Sequence, residues 1–545
     1  MKTGLFFLLL LLLFNTALGQ KMATKNTPLA RPKLVVGLVV DQMRWDYLYR
    51  YYSRYQEGGF KRLLNEGFSC ENTNIDFIPT VTAIGHTTIY TGSVPAIHGI
   101  AGNDFIIQET GKHVYCTEDS SVQTVGSSSE AGQMSPANLL ATTVTDELRL
   151  ATNFQSKTIG ISLKDRGAIL PVGHTANAAY WFDDAVNGWI SSSYYMKALP
   201  EWVKAFNNQK LPEKYLKQNW NTLYPISTYT QSTVDNSPYE GKFSNSADPV
   251  FPVKTSEFAT KPGAIRGTPY GNTLTLDLAK AAIENEALGK SEATDFLAVS
   301  LSSPDYIGHQ FGPNAIEVED TYLRLDQDLS AFLTYLDTKI GKGNYTFFLS
   351  ADHGVAHNAG FLNSHHIPAG GFSSGDIQKG LNSKLESKYN QKNLVTSMMN
   401  YQVHLNIPLI RKNNLNENTI VDECINYLEV QEDIAYAVNM RVASSASIPA
   451  VLKEKIVNGY NKNRSGAIQI ILKPGFFGGG KTGTSHGTWN PFDTHIPLIF
   501  TGWGIKQGKT NRPVNMSDIA STLAALLHIQ EPNGNIGKPV GEALK

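Results

Sequence analysis

The sequence predicts an α/β fold: one large sheet covered by helices on both faces. Two features carry that expectation, namely short runs of continuous apolar residues and their regular alternation with helical patterns. Leu34-Val-Val-Gly-Leu-Val-Val40 opens the series and reads as a strand buried on both faces, because no polar alternation interrupts it. A helix with Phe60, Leu63 and Leu64 on one face ends at Gly67. Helical periodicity covers residues 138–151, and residues 158–163 read as a strand. A helix over 272–288 precedes a buried strand over 296–301; a long helix over 315–340 precedes the strand Tyr345–Ser350. Strands Ile468–Leu472 and 496–501 and a helix over 517–527 complete the alternation. Two stretches break it, about 180–270 and about 365–465, rich in Tyr, Asn, Ser and Pro or lacking periodicity. Both are expected to be irregular insertions on a single core domain spanning residues 31–545, forming a lid over one edge.

Composition narrows the function. Of 545 residues, 47 are basic and 48 acidic, giving net charge −1 with no basic face or charged tail. That argues against nucleic acid or an anionic membrane as the main partner. Three cysteines, Cys70, Cys116 and Cys424, allow at most one intramolecular disulfide and exclude a cysteine-rich zinc module. Residues 1–19 read as a secretory signal peptide: Lys2, then an apolar run from Leu5 to Phe14, then Ala17-Leu18-Gly19 as a cleavage site. The run is too short to span a bilayer, so the expectation is an exported, periplasmic or secreted protein without a membrane anchor.

Residues with ligand chemistry gather where strands stop. Asp41 follows the first strand, Asp305 and His309 follow the strand over 296–301, and Asp352-His353-Gly354 follows Tyr345–Ser350. Open α/β sheets place their sites at the carboxyl ends of strands. A lone Asp there is commonly a cap, but three such ends carrying carboxylate and imidazole are not explained that way. With His486 the set suffices for two zinc ions, and imidazole plus carboxylate without thiolate reads as catalytic zinc. Gly475-Phe-Phe-Gly-Gly-Gly-Lys-Thr482 spells a phosphate-binding loop and Gly483-Thr-Ser-His-Gly487 a nucleophile elbow. Both motifs require a following helix, which Gly487, Asn490 and Pro491 deny. Pro79 instead leads into a short helix with Thr82 near its positive end, where a phosphate or an alkoxide is stabilised.

The run Pro79-Thr-Val-Thr82…His86, Thr91-Gly92…His98-Gly99, Asp305-x-x-x-His309, Asp352-His353-Gly354 and His486 resembles the alkaline phosphatase superfamily. Val39-Val-Asp-Gln-Met-Arg-Trp-Asp46, Ile97-His-Gly-Ile-Ala-Gly-Asn-Asp104 and Ser162-Leu-Lys-Asp-Arg166 narrow it to the PafA-type phosphate-irrepressible alkaline phosphatases, related to nucleotide pyrophosphatase/phosphodiesterases. The resemblance implies an alkaline-phosphatase-like sheet and two zinc ions, one held by Asp305, His309 and His486, the other by Asp41, Asp352, His353 and the Thr82 oxygen. It implies that Thr82 is the nucleophile, that a phosphothreonine forms, and that Asn103, Lys164 and Arg166 contact the phosphoryl group. Lys164 and Arg166, two apart after a strand, share one face if the extended geometry continues. The expected substrates are a broad range of small phosphate monoesters. A phosphodiesterase or nucleotide pyrophosphatase on the same fold, and a non-catalytic zinc-dependent envelope binding protein, are the rival readings.

Overall fold

Ten strands pair into one sheet: β1 (Leu34–Val40), β2 (Phe68–Cys70), β3 (Thr124–Val125), β4 (Thr158–Ser162), β5 (Ala178–Asp183), β6 (Gly188–Ser192), β7 (Asp295–Leu301), β8 (Tyr345–Ser350), β9 (Leu498–Gly502) and β10 (Gly508–Thr510). The structure, a computed structural model, describes residues 29–243, 248–261 and 263–545. The leader read at residues 1–19 lies outside the described residues. Spatially the strands run β10-β2-β9-β8-β1-β7-β4-β5-β6-β3. The central five, β8-β1-β7-β4-β5, are parallel, while β9 joins β8 and β6 joins β5 antiparallel, so the sheet is mixed. Every residue of β1, β7 and β8 is buried. Successive side chains point to opposite faces, so the sheet centre is covered on both, which is why these strands read as unbroken apolar runs.

Four helices matter for the site: α1 (Thr82–Thr91), α2 (Asp165–Val172), α3 (Ser303–Phe311) and α4 (Ile316–Leu336). The helix expected over 138–151 starts only at Val144. There the Thr143 hydroxyl accepts from the Asp146 amide while the Asp146 carboxylate accepts from the Thr143 amide, a capping box that fixes the first turn. All three cysteines are buried free thiols. Among the described residues no helix is long and apolar enough to cross a membrane.

The two stretches expected to be irregular hold more order than their composition suggests. Residues 178–192 form β5 and β6 of the main sheet, and Glu201–Asn208 and Leu211–Leu216 are helical. Trp220 and the Tyr229 hydroxyl then donate to Asp320 at 2.7 and 2.5 Å, tying this stretch to α4. Within 365–465, Val395–Ser397, Gln402–Leu405 and Ile434–Asn439 are strands, joined by Ile468–Leu472 in a second, four-stranded sheet. Helices Ser374–Tyr389 and Glu417–Leu428 share with it an apolar core including Leu381, Leu385, Ile420 and Cys424. Ile468–Leu472 therefore does not belong to the main sheet, although its apolar run looks the same.

Candidate active site

Parallel register aligns the strand ends that carry the chemistry. Val40 pairs with Leu301 and Val39 with Ser350, so the residues that follow emerge side by side at the sheet centre. The Asp41 amide donates to the Leu301 carbonyl at 3.0 Å. Gln42, held at φ 68°, donates its amide to Asp352 Oδ1 (3.1 Å) and its Nε2 to Asp305 Oδ1 (2.7 Å), bridging two carboxylates. Asp305 and His309 lie four apart on α3, hence on one helical face, with His309 Nε2 3.2 Å from Asp305 Oδ1.

Ligand atoms converge in two groups, each within 4.8 Å: Asp41, Asp352 and His353 in one, Asp305, His353 and His486 in the other. His353 belongs to both, and its ring stacks on His486 with centroids 3.6 Å apart. His309 stands outside these triplets and approaches Asp305 from the open side, its side chain 37% exposed.

Second contacts fix each ring. His309 Nδ1 faces the Thr484 carbonyl (2.9 Å), His353 Nδ1 the Gly354 carbonyl (2.9 Å) and His486 Nδ1 the Thr80 carbonyl (2.7 Å). A carbonyl only accepts, so each Nδ1 carries a proton, which leaves Nε2 of the neutral ring as the lone-pair donor, the arrangement of metal-ligating imidazoles. Asp41 Oδ1, Asp352 Oδ2 and His353 Nε2 are buried without a hydrogen-bond partner. Such orphaned atoms in one triplet fit a cation.

Electrostatics point the same way. The Lys164 ammonium lies 2.6 Å from both Asp41 Oδ2 and Asp305 Oδ2. With Asp352, three buried carboxyl groups gather around this one ammonium, a set that a bound cation would neutralise. Burial pushes the Asp41 carboxyl well above its ordinary range, and Asp305 and Asp352 push it further. At Asp305 burial acts the same way, but Lys164 and His309 overcome it and hold the carboxyl well below. Burial, His353 and His309 depress His486, keeping it in the neutral form that ligates metal.

Thr82 is the first residue of α1 and is 2% exposed. His86, one turn on, has Nδ1 3.0 Å from the Thr82 carbonyl and 3.3 Å from Asp352 Oδ2, while its Nε2 meets the Ser300 hydroxyl at 2.8 Å. This imidazole ties the helix start to the carboxylate cluster; sequence reading gave it no role, although its four-residue spacing from Thr82 was visible. Asn103 accepts the Ala83 amide on Oδ1 (2.9 Å), which leaves its NH2 group as a donor. The Thr80 hydroxyl is committed to the Thr488 carbonyl (3.0 Å).

The extended geometry that would carry Lys164 and Arg166 on one face ends at Lys164. Lys164 caps α2, the chain turns helical at Asp165, and Arg166 donates to the Tyr115 hydroxyl (3.0 Å), which itself donates to Asp165 (2.8 Å). His365 and His366 are exposed, outside the cluster. No helix follows Gly475–Gly487 before Pro491, so neither the phosphate-loop nor the elbow spelling acquires its required context.

The approach of α1 to Asp352 depends on Gly85. A Cβ there would meet the Asp352 carbonyl oxygen at 2.3 Å and its Cα at 2.7 Å. Gly85→Ala is expected to cost about 1–3 kcal/mol of stability and, by shifting Thr82 and His86, to lower kcat about tenfold or more. Thermal unfolding and steady-state kinetics check both effects; wild-type kcat would show that α1 tolerates the displacement.

A model of the type I phosphodiesterase / nucleotide pyrophosphatase family matches residues 35–495. The chain belongs to this family. Within it, the chain is 54% identical to alkaline phosphatase PhoV of Synechococcus elongatus, with both chains covered in full. It is 52% identical to alkaline phosphatase PafA of Elizabethkingia meningoseptica, over 96% of this chain and 97% of that one. A Myroides odoratus protein named calcium-transporting ATPase is 59% identical, over 95% of each chain. A crystal structure of wild-type PafA superposes with TM-score 0.93 at 52% identity, covering 95% of this chain and 100% of that one. A further PafA structure carries substitutions at a threonine, an asparagine, a lysine and an arginine. The fold is that of PafA, and this family member is an enzyme of the phosphatase class.

Proposed function

We propose that the chain is an exported phosphomonoesterase acting on small phosphate monoesters through a covalent intermediate on Thr82, with two zinc ions. The orphaned Asp41 Oδ1, Asp352 Oδ2 and His353 Nε2, gathered against the helix that Thr82 begins, carry the reading. Asp41, Asp352, His353 and the Thr82 oxygen would hold one ion; Asp305, His309 and His486 would hold the other. His353 belongs to both groups of ligand atoms. When bound, the ions supply Lewis acidity that eases ionisation of the hydroxyl and stabilises the departing oxygen.

The chain's own groups do the rest. The Thr82 Oγ forms a bond to phosphorus as the ester P–O bond breaks, and the alcohol leaves. Water then attacks the phosphothreonine, releasing inorganic phosphate and restoring the hydroxyl. The N-terminus of α1 and the Asn103 NH2 stabilise nonbridging oxygens, and Arg166, braced by Tyr115 and Asp165, adds a fixed positive charge. The PafA variant changed at a threonine, an asparagine, a lysine and an arginine supports grouping Thr82, Asn103, Lys164 and Arg166 in one site. The relative named as an ATPase also fits, since hydrolysis of a phosphoanhydride is phosphoryl transfer.

Dialysis against a chelator is expected to lower p-nitrophenyl phosphate hydrolysis on the order of 10²–10³-fold, with recovery on adding zinc. Metal analysis of the active protein should return two zinc ions per chain. Full activity in metal-free protein would refute the proposal.

A further inference from the structure

Away from this centre, α4 begins with an unusual acid. Glu317 lies in the first turn, 1% exposed, and neither of its carboxylate oxygens has a hydrogen-bond partner. Near enough to repel it is Glu240, 5% exposed, whose Oε1 accepts from the Thr233 hydroxyl at 3.0 Å and whose Oε2 has no partner. Three of the pair's four oxygens are thus buried and unpaired. Burial pushes Glu317 well above the ordinary range, with Glu240 and then Asp235 adding repulsion; burial likewise pushes Glu240 up to about 8.

We propose that Glu240 and Glu317 form a second kind of metal site, one that takes a hard divalent cation of the calcium type. Neutral oxygens adjoin the pair: the Thr233 hydroxyl, which donates to Glu240, lies 3.1 Å from the carbonyl of Asn314, three residues before Glu317. A pair of carboxylates with neutral oxygens and no nitrogen or sulfur selects calcium over zinc. Two buried negative charges match one divalent ion, whereas leaving them unpaired is costly.

Such an ion would clip the segment carrying Glu240 onto α4, and that segment reaches the catalytic centre. Gly241 donates to the Gln310 carbonyl (2.8 Å), Gln310 Nε2 donates to the Lys242 carbonyl (2.7 Å), and Gly483 donates to the Tyr239 carbonyl (2.8 Å). Gln310 adjoins His309 and Gly483 precedes His486 by three residues. The ion would brace the backbone behind two imidazoles without touching substrate.

The test uses full-length, zinc-loaded protein stripped of loosely held ions with a calcium-selective chelator and titrated with calcium chloride while zinc content is monitored. Equilibrium dialysis should find one calcium per chain. The unfolding midpoint should rise by about 2–3 °C at a hundredfold excess over Kd. Glu317→Gln and Glu240→Gln should each abolish both effects; should the first fail to fold, the second and the wild-type stoichiometry decide. No calcium uptake by wild type, or uptake undiminished in the variants, overturns the proposal. So does a wild type insensitive to calcium but stabilised by acidification, the behaviour of two carboxyls sharing a proton.

Discussion

Thr82→Ala is expected to abolish nearly all turnover, by about 10⁴-fold or more, while the protein folds and retains most of its metal. Thr82 is the first helical residue of α1, whose next turn touches Asp352 through His86 and Gly85. The neighbouring Thr80 is already spent: its hydroxyl donates to Thr488, and its carbonyl orients His486. Rapid acid quench during turnover, followed by mass spectrometry, should find phosphate on the peptide at Thr82. Phosphate consistently at Thr80, or at no residue, would end the assignment. Zinc content and thermal unfolding of the variant separate lost chemistry from lost structure.

The second large effect concerns substrate class. A phosphate monoester brings a dianion with three nonbridging oxygens; a diester brings a monoanion and a second organic group. Extra positive charge therefore favours the monoester. Charge-assisted hydrogen bonds contribute roughly 1.5–3 kcal/mol each, so losing two costs about 3–6 kcal/mol, on the order of 10²–10⁴ in kcat/KM. The Lys164→Ala/Arg166→Ala double variant should lose that much with a monoester and far less with a diester of the same leaving group. Because Lys164 contacts Asp41 and Asp305, zinc content must be measured alongside. Arg166, held by Tyr115, contacts no ligand carboxylate, so its single variant is the cleaner probe. Equal slowing of both substrates with zinc intact would favour the diesterase reading.

What the sequence made legible follows from burial. β1, β7 and β8 are covered on both faces, so their composition is unambiguous, and the acids that follow them stand at aligned strand ends. What it hid is local or long-range. α2 contains Pro171, and α3 contains Pro304 and Gly308, which mask helical periodicity. Ile434–Asn439, in the second sheet, is only partly buried, so it lacks an apolar signature. The direction of Lys164 depends on where α2 starts, and the bridging role of Gln42 depends on a positive φ, neither of which residue type reveals.

The pairing of β8 with β9 has a consequence for how the chain is made. These strands are antiparallel neighbours, Ser350 opposite Leu498, yet 148 positions separate those residues (498 − 350), and the whole second sheet is synthesised between them. At about 5–20 residues per second, that interval lasts roughly 7–30 s on the ribosome. Throughout it, β8 can pair with β1 on one side while its other edge, Tyr-Thr-Phe-Phe-Leu-Ser, has no partner strand from its own chain. An open apolar edge is a template for association with other chains. Folding during synthesis thus leaves the strand beside the catalytic centre vulnerable to aggregation, whereas delaying folding until the chain is complete removes the hazard.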